Sequence, residues 1–433
     1  MKKIFLIFAL FAVLVSCVEK KSTDNTISVI PQVESLRVDE GTFCIDKNTK
    51  IFLNAPSDEM KRVAGFLNER LMAAAGFELE FTDQPKSENM IKFMNVDFPT
   101  EKYAINCCPE TLVVDYGDGA GAFYAVQTLL QLLPVEIYSQ ERQKGVKWTV
   151  PCCSIEDAPR FKYRGMHLDV CLHFFEFEYL KRYIDLMAAH KVNRFHWHLT
   201  EDQGWRLEIK KYPLLTEKGQ WRKETVVGSL KSGVYDGTPH GGFYTQEQVK
   251  ELVQYAAERY VTIIPEIELP GHALAAIACY PELSCGLEDH YETATKWGVF
   301  KQVYCTKEST FKFLEDVFDE VFELFPSELI HIGGDECPKA SWKACPHCQA
   351  LIKKLGLKDE FELQSYFVTR MEKYINSKGR QIIGWDEILQ GGLAPNAKVM
   401  SWLHSSIMKW LCRLTRNIIL TTGRQIHIQS LWR

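Results

Sequence analysis

The chain has 433 residues, of which 46% are hydrophobic and 25% are charged, and it carries a net charge of −5. This length predicts one very large domain or two ordinary ones, with enough apolar material for a packed core. The negative net charge and the absence of a long basic run argue against nucleic acid as a partner.

The N-terminus has the pattern of an export signal. Two lysines precede an apolar run at 4–15, which is followed by Ser16 and Cys17. The run is too short to span a bilayer comfortably, and its end resembles a bacterial lipobox, in which the cysteine is lipidated and becomes the new N-terminus. An ordinary cleaved signal followed by a chance cysteine is the alternative. We expect a signal at 1–17, lipidation at Cys17 and a polar tether at 18–29.

This interpretation also predicts where the chain resides. The mature protein is expected in the cell envelope, attached to a membrane through the lipid on Cys17 alone. Its location on the periplasmic or the surface face of the outer membrane stays open.

Residues 30–155 have the pattern of a small α/β domain. Strands are predicted at Lys50–Leu53 and Thr111–Tyr116, and helices at Asp58–Ala75 and Ala122–Leu133. This segment gathers no cluster of titratable residues, so we expect it to support the rest of the molecule rather than to carry chemistry.

From Arg164 onward, apolar strands alternate with amphipathic helices. The predicted strands are Met166–Val170, Arg194–Leu199, Val261–Glu268, Leu329–Gly333, Gln381–Trp385 and Lys398–Trp402. The predicted helices include Phe177–His190, Gln246–Arg259, Phe311–Leu324 and Glu362–Ser377. Repeated βα units whose strands end in charged or aromatic residues predict a (β/α)8 TIM-type barrel over 156–402, with its site at the C-terminal ends of the strands.

The pattern supplies six strands rather than eight. Residues 403–433 contain no Asp or Glu and show no clear helix or strand period. We therefore expect an atypical tail outside the fold, such as a shifted reading frame would produce, and a barrel that lacks its last strands. A divergent final βα unit is the alternative.

Among the 14 cysteines, Cys345 and Cys348 have CxxC spacing, with Cys337 nearby. A structural zinc site needs a further clear ligand, and His347 lies awkwardly inside the CxxC segment. The sequence therefore favours a disulfide or free thiols over zinc, and we predict no metal.

Two adjacent carboxylates, Asp335 and Glu336, follow a predicted strand directly after two glycines. Adjacent acids can take different roles, one as a proton donor and one as a charged group. An isolated pair of this kind more often caps the next helix. Other strand ends, however, bring further polar and aromatic candidates to the same face of the barrel, namely Glu201, His272, His331, Trp385 and Trp402.

These strand ends resemble the successive signatures of glycoside hydrolase family 20. In chain order they read RGMHLD at 164–169, HWHLTEDQGWR at 196–206, PEIELPGH at 265–272, HIGGDE at 331–336 and GWDE at 384–387. The resemblance covers about residues 30 to 402 and includes the small α/β domain that precedes the barrel in that family. It implies a retaining exo-β-N-acetylhexosaminidase that removes terminal β-linked GlcNAc or GalNAc from glycans without a cofactor or metal.

The family uses the acetamido group of the substrate as the nucleophile. By this resemblance Glu336 protonates the leaving oxygen, and Asp335 orients the acetamido group and stabilises the oxazolinium charge. Glu201 and His272 resemble the carboxylate–histidine pair that connects to the acid, although many relatives have Asp at the position of Glu201.

The resemblance also implies the walls of the sugar pocket. Trp385 and Trp402 would enclose the sugar, and His331 would contribute to binding it. One departure concerns Leu172, where the family usually has an arginine that grips sugar hydroxyls. A second is the absence of the last two barrel strands, which carry further sugar contacts in the family.

Two other functions compete with this one. The first is an inactive or sugar-binding lipoprotein descended from the enzyme, which Leu172 and the tail favour. The second is a metal-dependent deacetylase that uses His331, Asp335 and His272. It fits less well, because these residues belong to motifs that already match the hydrolase.

Overall fold

The computed structural model describes residues 27–229 and 231–401 with their side chains, and residues 418–420 by their backbone. Cys17 and Trp402 therefore lie outside the described residues. Within the described ranges, no helix is both long and apolar enough to cross a membrane.

The N-terminal domain is a seven-stranded mixed sheet with two helices. Its strands are β1 (Ser35–Cys44), β2 (Lys50–Leu53), β3 (Glu80–Thr82), β4 (Met90–Asn95), β5 (Tyr103–Cys107), β6 (Thr111–Tyr116) and β7 (Thr149–Asp157). The helices are α1 (Asp58–Ala75) and α2 (Gly119–Leu132). The strands lie in the order β1-β7-β5-β6-β4-β2-β3. Strands β6, β4, β2 and β3 are mutually parallel, and the other pairs are antiparallel.

Capping residues determine where the two helices begin and where α1 ends. Helix α1 begins where the Ser57 side chain accepts from a backbone N–H, and it ends at Gly76 in the left-handed conformation, with φ 80°. Helix α2 begins at Gly119 rather than at the predicted Ala122, because the Asp118 carboxylate accepts from the backbone N–H of Gly121.

The second domain is a parallel sheet whose strands are followed by helices. Its strands are β8 (Gly165–Asp169), β9 (Arg194–His198), β12 (Thr262–Glu266), β13 (Leu329–His331), β14 (Gln381–Trp385), β15 (Lys398–Ser401) and β16 (Ile418–Leu420), and a short hairpin after β9 adds β10 (Thr200–Glu201) and β11 (Gly204–Trp205). The helices are α3 (Phe177–Ala189), α4 (Leu214–Glu217), α5 (Gln246–Ala257), α6 (Leu274–Cys279), α7 (Glu308–Leu324), α8 (Ala340–Ala344), α9 (Pro346–Leu355) and α10 (Glu360–Ser377). The predicted TIM-type arrangement, preceded by a small α/β domain, is confirmed.

Among the residues that the structure describes, the sheet contains seven strands, one more than the six that the sequence predicted. Ile418–Leu420 lies parallel to β15, with Val399 opposite Ile418 and Ser401 opposite Leu420. The expectation that no part of residues 403–433 joins the barrel was therefore wrong for this segment. A run of three apolar residues is too short to identify a strand by its periodicity.

The small domain contacts the barrel at the start of its first strands. Arg164, directly before β8, forms an ion pair of 2.7 Å with Glu101. Asn193, directly before β9, donates to the same carboxylate at 3.2 Å. The buried ammonium of Lys191 lies 3.1 Å from the buried carboxylate of Asp157. These contacts lie at the N-terminal ends of the strands, opposite the end where a barrel carries its site.

Candidate active site

Polar side chains form a row across the C-terminal ends of four adjacent strands. In the parallel register, Asp169 of β8 lies opposite His198 of β9, His198 opposite Glu266 of β12, and Glu266 opposite His331 of β13. Because the strands are parallel, their carboxyl ends meet at one edge of the sheet, where barrel sites form.

Glu266 is the buried centre of this row. Its carboxylate lies 2.7 Å from Nδ1 of His331 and 2.8 Å from Nε2 of His196, and it accepts from the indole N–H of Trp385 at 3.0 Å. Burial raises the pKa of this carboxyl, but His198, His331 and His196 outweigh burial and hold the pKa well below its usual range. Glu266 is therefore a fixed negative charge that orients the rings around it.

The aromatic candidates differ in exposure. Trp385 is half-buried and lies at the C-terminal end of β14. His331 is fully buried, with its ring centroid 5.0 Å from that of Trp385. In this structure His331 supports the tryptophan and does not line the surface of the pocket. Trp402, the other predicted wall, lies outside the described residues.

The backbone after β13 turns sharply to present the two adjacent carboxylates. Gly333 has φ 63°, and a Cβ there would lie 1.6 Å from the Glu268 carboxylate, so only glycine fits. Glu336 itself has φ 40°, a conformation that is uncommon for a residue with a side chain and that recurs at functional sites. The turn leaves the Glu336 side chain 40% exposed and the Asp335 side chain 19% exposed.

His272 connects two pairs of acids. Its Nδ1 lies 3.0 Å from Glu201 Oε1 and 3.2 Å from Asp202 Oδ2. Its Nε2 lies 3.7 Å from Asp335 Oδ2 and 3.9 Å from Glu336 Oε2. The structure thus brings together all four residues that were predicted to be catalytic, and it adds Asp202 to them.

Burial and charge oppose each other at this histidine. Burial disfavours the imidazolium, but Glu201 and Asp202 outweigh it, so the pKa of His272 lies well above its usual value. Burial raises the pKa of Glu201 to about 7, although His272 lowers it. Burial also raises the pKa of Asp335, against the lowering effect of the same imidazolium. The neighbouring carboxylates therefore favour the imidazolium form of His272, between the two pairs of acids.

Three further acids at the site were not singled out from the sequence, namely Asp202, Glu266 and Glu268. Burial, together with the charges of Asp335 and Glu266, raises the pKa of Glu268 well above its usual range, which favours the protonated form of this acid. The alternation of Glu266 and Glu268 in the strand motif was the available signal, because residues two apart share a face of a strand.

Leu172 lies at the same end of the barrel, in the loop after β8. Its backbone is fixed, because its N–H donates to Asp169 at 3.1 Å and its carbonyl accepts from Arg222 at 2.9 Å. The side chain is 43% exposed and has no hydrogen-bond donor.

Two family models match the chain in consecutive segments. The model "Glycosyl hydrolase family 20, domain 2" matches residues 26–158, and the model "Glycosyl hydrolase family 20, catalytic domain" matches residues 161–429. The boundary between them falls directly after β7.

Similar proteins of known sequence or structure agree with these matches. A β-hexosaminidase of Porphyromonas gingivalis is 45% identical over 405 residues, which are 92% of this chain and 50% of that protein. A β-N-acetylhexosaminidase structure from Bacteroides fragilis is 34% identical, with a TM-score of 0.76, over 91% of this chain and 75% of that one. An exo-β-N-acetylglucosaminidase structure from Vibrio harveyi, in complex with N-acetylglucosamine, is 33% identical, with a TM-score of 0.79, over 90% of this chain and 60% of that one. The chain thus spans half the length of the P. gingivalis relative.

Proposed function

Because this chain belongs to glycosyl hydrolase family 20, we propose that it is a retaining exo-β-N-acetylhexosaminidase acting on glycans that end in β-linked GlcNAc or GalNAc. The observation that carries the proposal is the position of His272. Its ring lies between Glu201 and Asp202 on one side and the adjacent acids Asp335 and Glu336 on the other. In this arrangement one of the adjacent acids can donate a proton, and the other can stabilise a positive charge beside it.

Glu336 is the general acid in this proposal. Its carboxyl is the more exposed of the adjacent pair, so it can reach the oxygen of a glycosidic bond. The leaving sugar departs as an alcohol and needs a proton, and a positioned acid typically contributes about 10² to 10⁴-fold to such a step.

Asp335 is the group that holds the acetamido substituent. It accepts the N–H of that substituent and turns the carbonyl oxygen toward the anomeric carbon, where it displaces the leaving group. The product of this step is an oxazolinium, whose positive charge Asp335 faces. Water then opens the ring on the same side that the leaving group occupied, so the configuration is retained after two inversions.

Trp385 forms one wall of the sugar pocket, and Trp402 is proposed as another. The indole N–H of Trp385 is held by Glu266, and its ring lies against His331, so the orientation of its exposed part is fixed. An aromatic face held in this way can stack against the C–H face of a sugar ring.

The experiment that tests Glu336 compares two kinds of substrate. Glu336→Gln is expected to lose roughly 10² to 10⁴-fold in kcat/KM on a chitobiose-type disaccharide, and much less on an aryl glycoside whose phenolate leaves without protonation. The matched control is Glu247→Gln, which alters an exposed glutamate of α5 and should leave both rates unchanged. Equal losses on the two substrates would contradict the role of acid. Sugar binding without hydrolysis by the unaltered chain would instead favour a sugar-binding relic.

The role of Asp335 has a separate test. A thiazoline analogue of the oxazolinium should bind the unaltered protein far more tightly than it binds Asp335→Asn, because the variant lacks the charge that faces the cationic ring. Isothermal titration calorimetry measures both affinities without requiring turnover. Equal binding to the two proteins would show that the acetamido group does not act through Asp335.

We also propose that the chain is an exported lipoprotein held at the cell envelope by lipid on Cys17. The support is the pattern of the first residues, with two lysines, the apolar run at 4–15 and the Ser16-Cys17 ending. A glycosidase tethered in this position would act on glycans in the envelope or outside the cell.

A further inference from the structure

Four cysteine side chains meet beside the catalytic end of the barrel. Cys285 and Cys305 lie in the connection between α6 and α7, and Cys345 and Cys348 lie at the beginning of α9. Their Sγ atoms all lie within 4.8 Å of one another. Three of the four residues are buried, and Cys285 is half-buried.

The distances between these sulfurs match tetrahedral coordination of one ion. The Sγ–Sγ distances are 3.9 Å for Cys285–Cys348, 3.9 Å for Cys305–Cys345 and 3.7 Å for Cys305–Cys348. Zinc–sulfur bonds of about 2.3 Å in a tetrahedron place the sulfurs about 3.8 Å apart. A disulfide, in contrast, joins its two sulfurs at about 2.05 Å.

We propose that Cys285, Cys305, Cys345 and Cys348 bind one structural Zn²⁺ ion as thiolates. Four sulfur ligands and no open position are typical of structural rather than catalytic zinc sites. On binding, four S–H protons pass to solvent and four Zn–S bonds form, without any change of oxidation state. This site is separate from the hydrolytic residues and does not depend on the proposed function.

The surroundings of the cluster favour thiolates. Cys345 occupies the N-cap position of α9, and Cys348 lies in the first turn of that helix, where the helix dipole stabilises negative charge. The hydroxyl of Thr306 donates to Cys348 Sγ at 3.4 Å. His347 is not a ligand in this arrangement, because its Nε2 lies 3.1 Å from the backbone oxygen of Thr306. Cys337, the other sequence candidate, is not part of the cluster.

The ion would join the two loops that carry the catalytic side chains. The segment with Cys285 and Cys305 follows His272, and the segment with Cys345 and Cys348 follows Glu336. The two segments already meet through the indole N–H of Trp342, which donates to the Tyr304 carbonyl at 2.9 Å. A metal bound to both would fix their separation far more rigidly than single hydrogen bonds do.

The first test uses the unaltered full chain. Inductively coupled plasma mass spectrometry is expected to find one equivalent of zinc per chain. Mass spectrometry of peptides alkylated under denaturing, non-reducing conditions should find all four cysteines as thiols. The competing outcome is a disulfide among the four without zinc, which an oxidising compartment favours and which would overturn the proposal. Iron at one equivalent would overturn the assignment to zinc.

The second test replaces single ligands. Cys305→Ser and Cys348→Ser should each lose most of the bound zinc and lower the temperature of unfolding, because metal binding and folding are coupled. The control is Cys279→Ser, which alters a buried thiol outside the cluster and should keep the full equivalent of zinc. Zinc retained by both ligand variants would exclude these residues.

A third measurement serves if the serine variants fail to fold. The unaltered protein is exchanged with Co²⁺, and its visible spectrum is recorded. Intense absorption with strong sulfur-to-cobalt charge transfer is expected for tetrahedral thiolate coordination. A weak spectrum typical of octahedral oxygen ligands, or no bound cobalt, would overturn the site.

Discussion

Glu201 is one of the acids that set the charge of His272, and its Oε1 lies 3.0 Å from Nδ1 of that ring. Burial raises the pKa of Glu201 to about 7, so this carboxyl takes up a proton as the pH falls through the neutral range. Once neutral, it no longer attracts the imidazolium, which lies 3.7 Å from Asp335. The ionised form of Glu201, present above about pH 7, is therefore the form that supports the cation beside Asp335.

We accordingly predict that kcat/KM declines on the acid side with an apparent pKa near 7 that belongs to the Glu201–His272 pair. In Glu201→Gln this decline should vanish, and the rate should stay at a low plateau across the neutral range. Glu201→Asp keeps a carboxylate and should keep the decline. This variant therefore distinguishes an effect of the carboxylate's titration from an effect of side-chain packing at position 201. A pH profile measured with an activated aryl substrate distinguishes these cases, and an unchanged decline in the Gln variant would assign it to another group.

Some residues of the two sites could be predicted from the sequence, and others could not. Glu336, Asp335, His272 and Glu201 could be named as candidates because each follows a strand of a recognisable motif, and parallel strands bring such positions to one edge. Cys285 and Cys305 could not be found in this way. They lie in an irregular connection far from the CxxC pair in sequence, and no periodicity indicates where a long loop returns.

At the scale of elements, strands and helices with long apolar patterns were predicted to within about three residues at each end. Helix α7, for example, ends at the predicted Leu324 but begins at Glu308, three residues before the predicted Phe311. Its buried positions recur at helical spacing, which is the pattern that identified the helix. β16 was missed because it contributes only Ile418–Leu420. Its pairing with β15 supplies the evidence for a strand, and pairing over such distances cannot be read from a local pattern.

The junction between α3 and β9 holds the barrel to the small domain through a buried ion pair. Burial lowers the pKa of Lys191 to about 8, although Asp157 opposes this shift. Lys191→Met removes the ammonium from a fully buried carboxylate and is expected to destabilise the protein by about 3–5 kcal/mol.

The double variant Asp157→Asn/Lys191→Met should recover much of this loss, because it removes the buried charge as well. Thermal unfolding followed by calorimetry measures both effects. Lys250→Met, at an exposed position of α5, is the control and should leave the unfolding temperature unchanged. A double variant no more stable than the single one would show that packing, rather than charge, accounts for the loss.

At the scale of the whole molecule, the proposed lipid on Cys17 determines where the protein is found. In cells, the mature chain is expected in the membrane fraction with an acylated Cys17 as its first residue, as detected by mass spectrometry. Cys17→Ser should move the protein to the soluble fraction without changing its activity on a small aryl substrate. Unaltered protein in the soluble fraction, cleaved at another position, would contradict this anchor.

The contacts of Glu101 with Arg164 and Asn193 lie at the opposite end of the barrel from Asp335 and Glu336. Mutations at the two ends therefore fall on separate sets of contacts. Changes in the loops after β9, β12 or β13 can therefore alter the site at one end of the barrel without affecting the contacts between the two domains at the other end. Substitutions that change the site and substitutions that weaken the contact between the domains therefore fall on different residues.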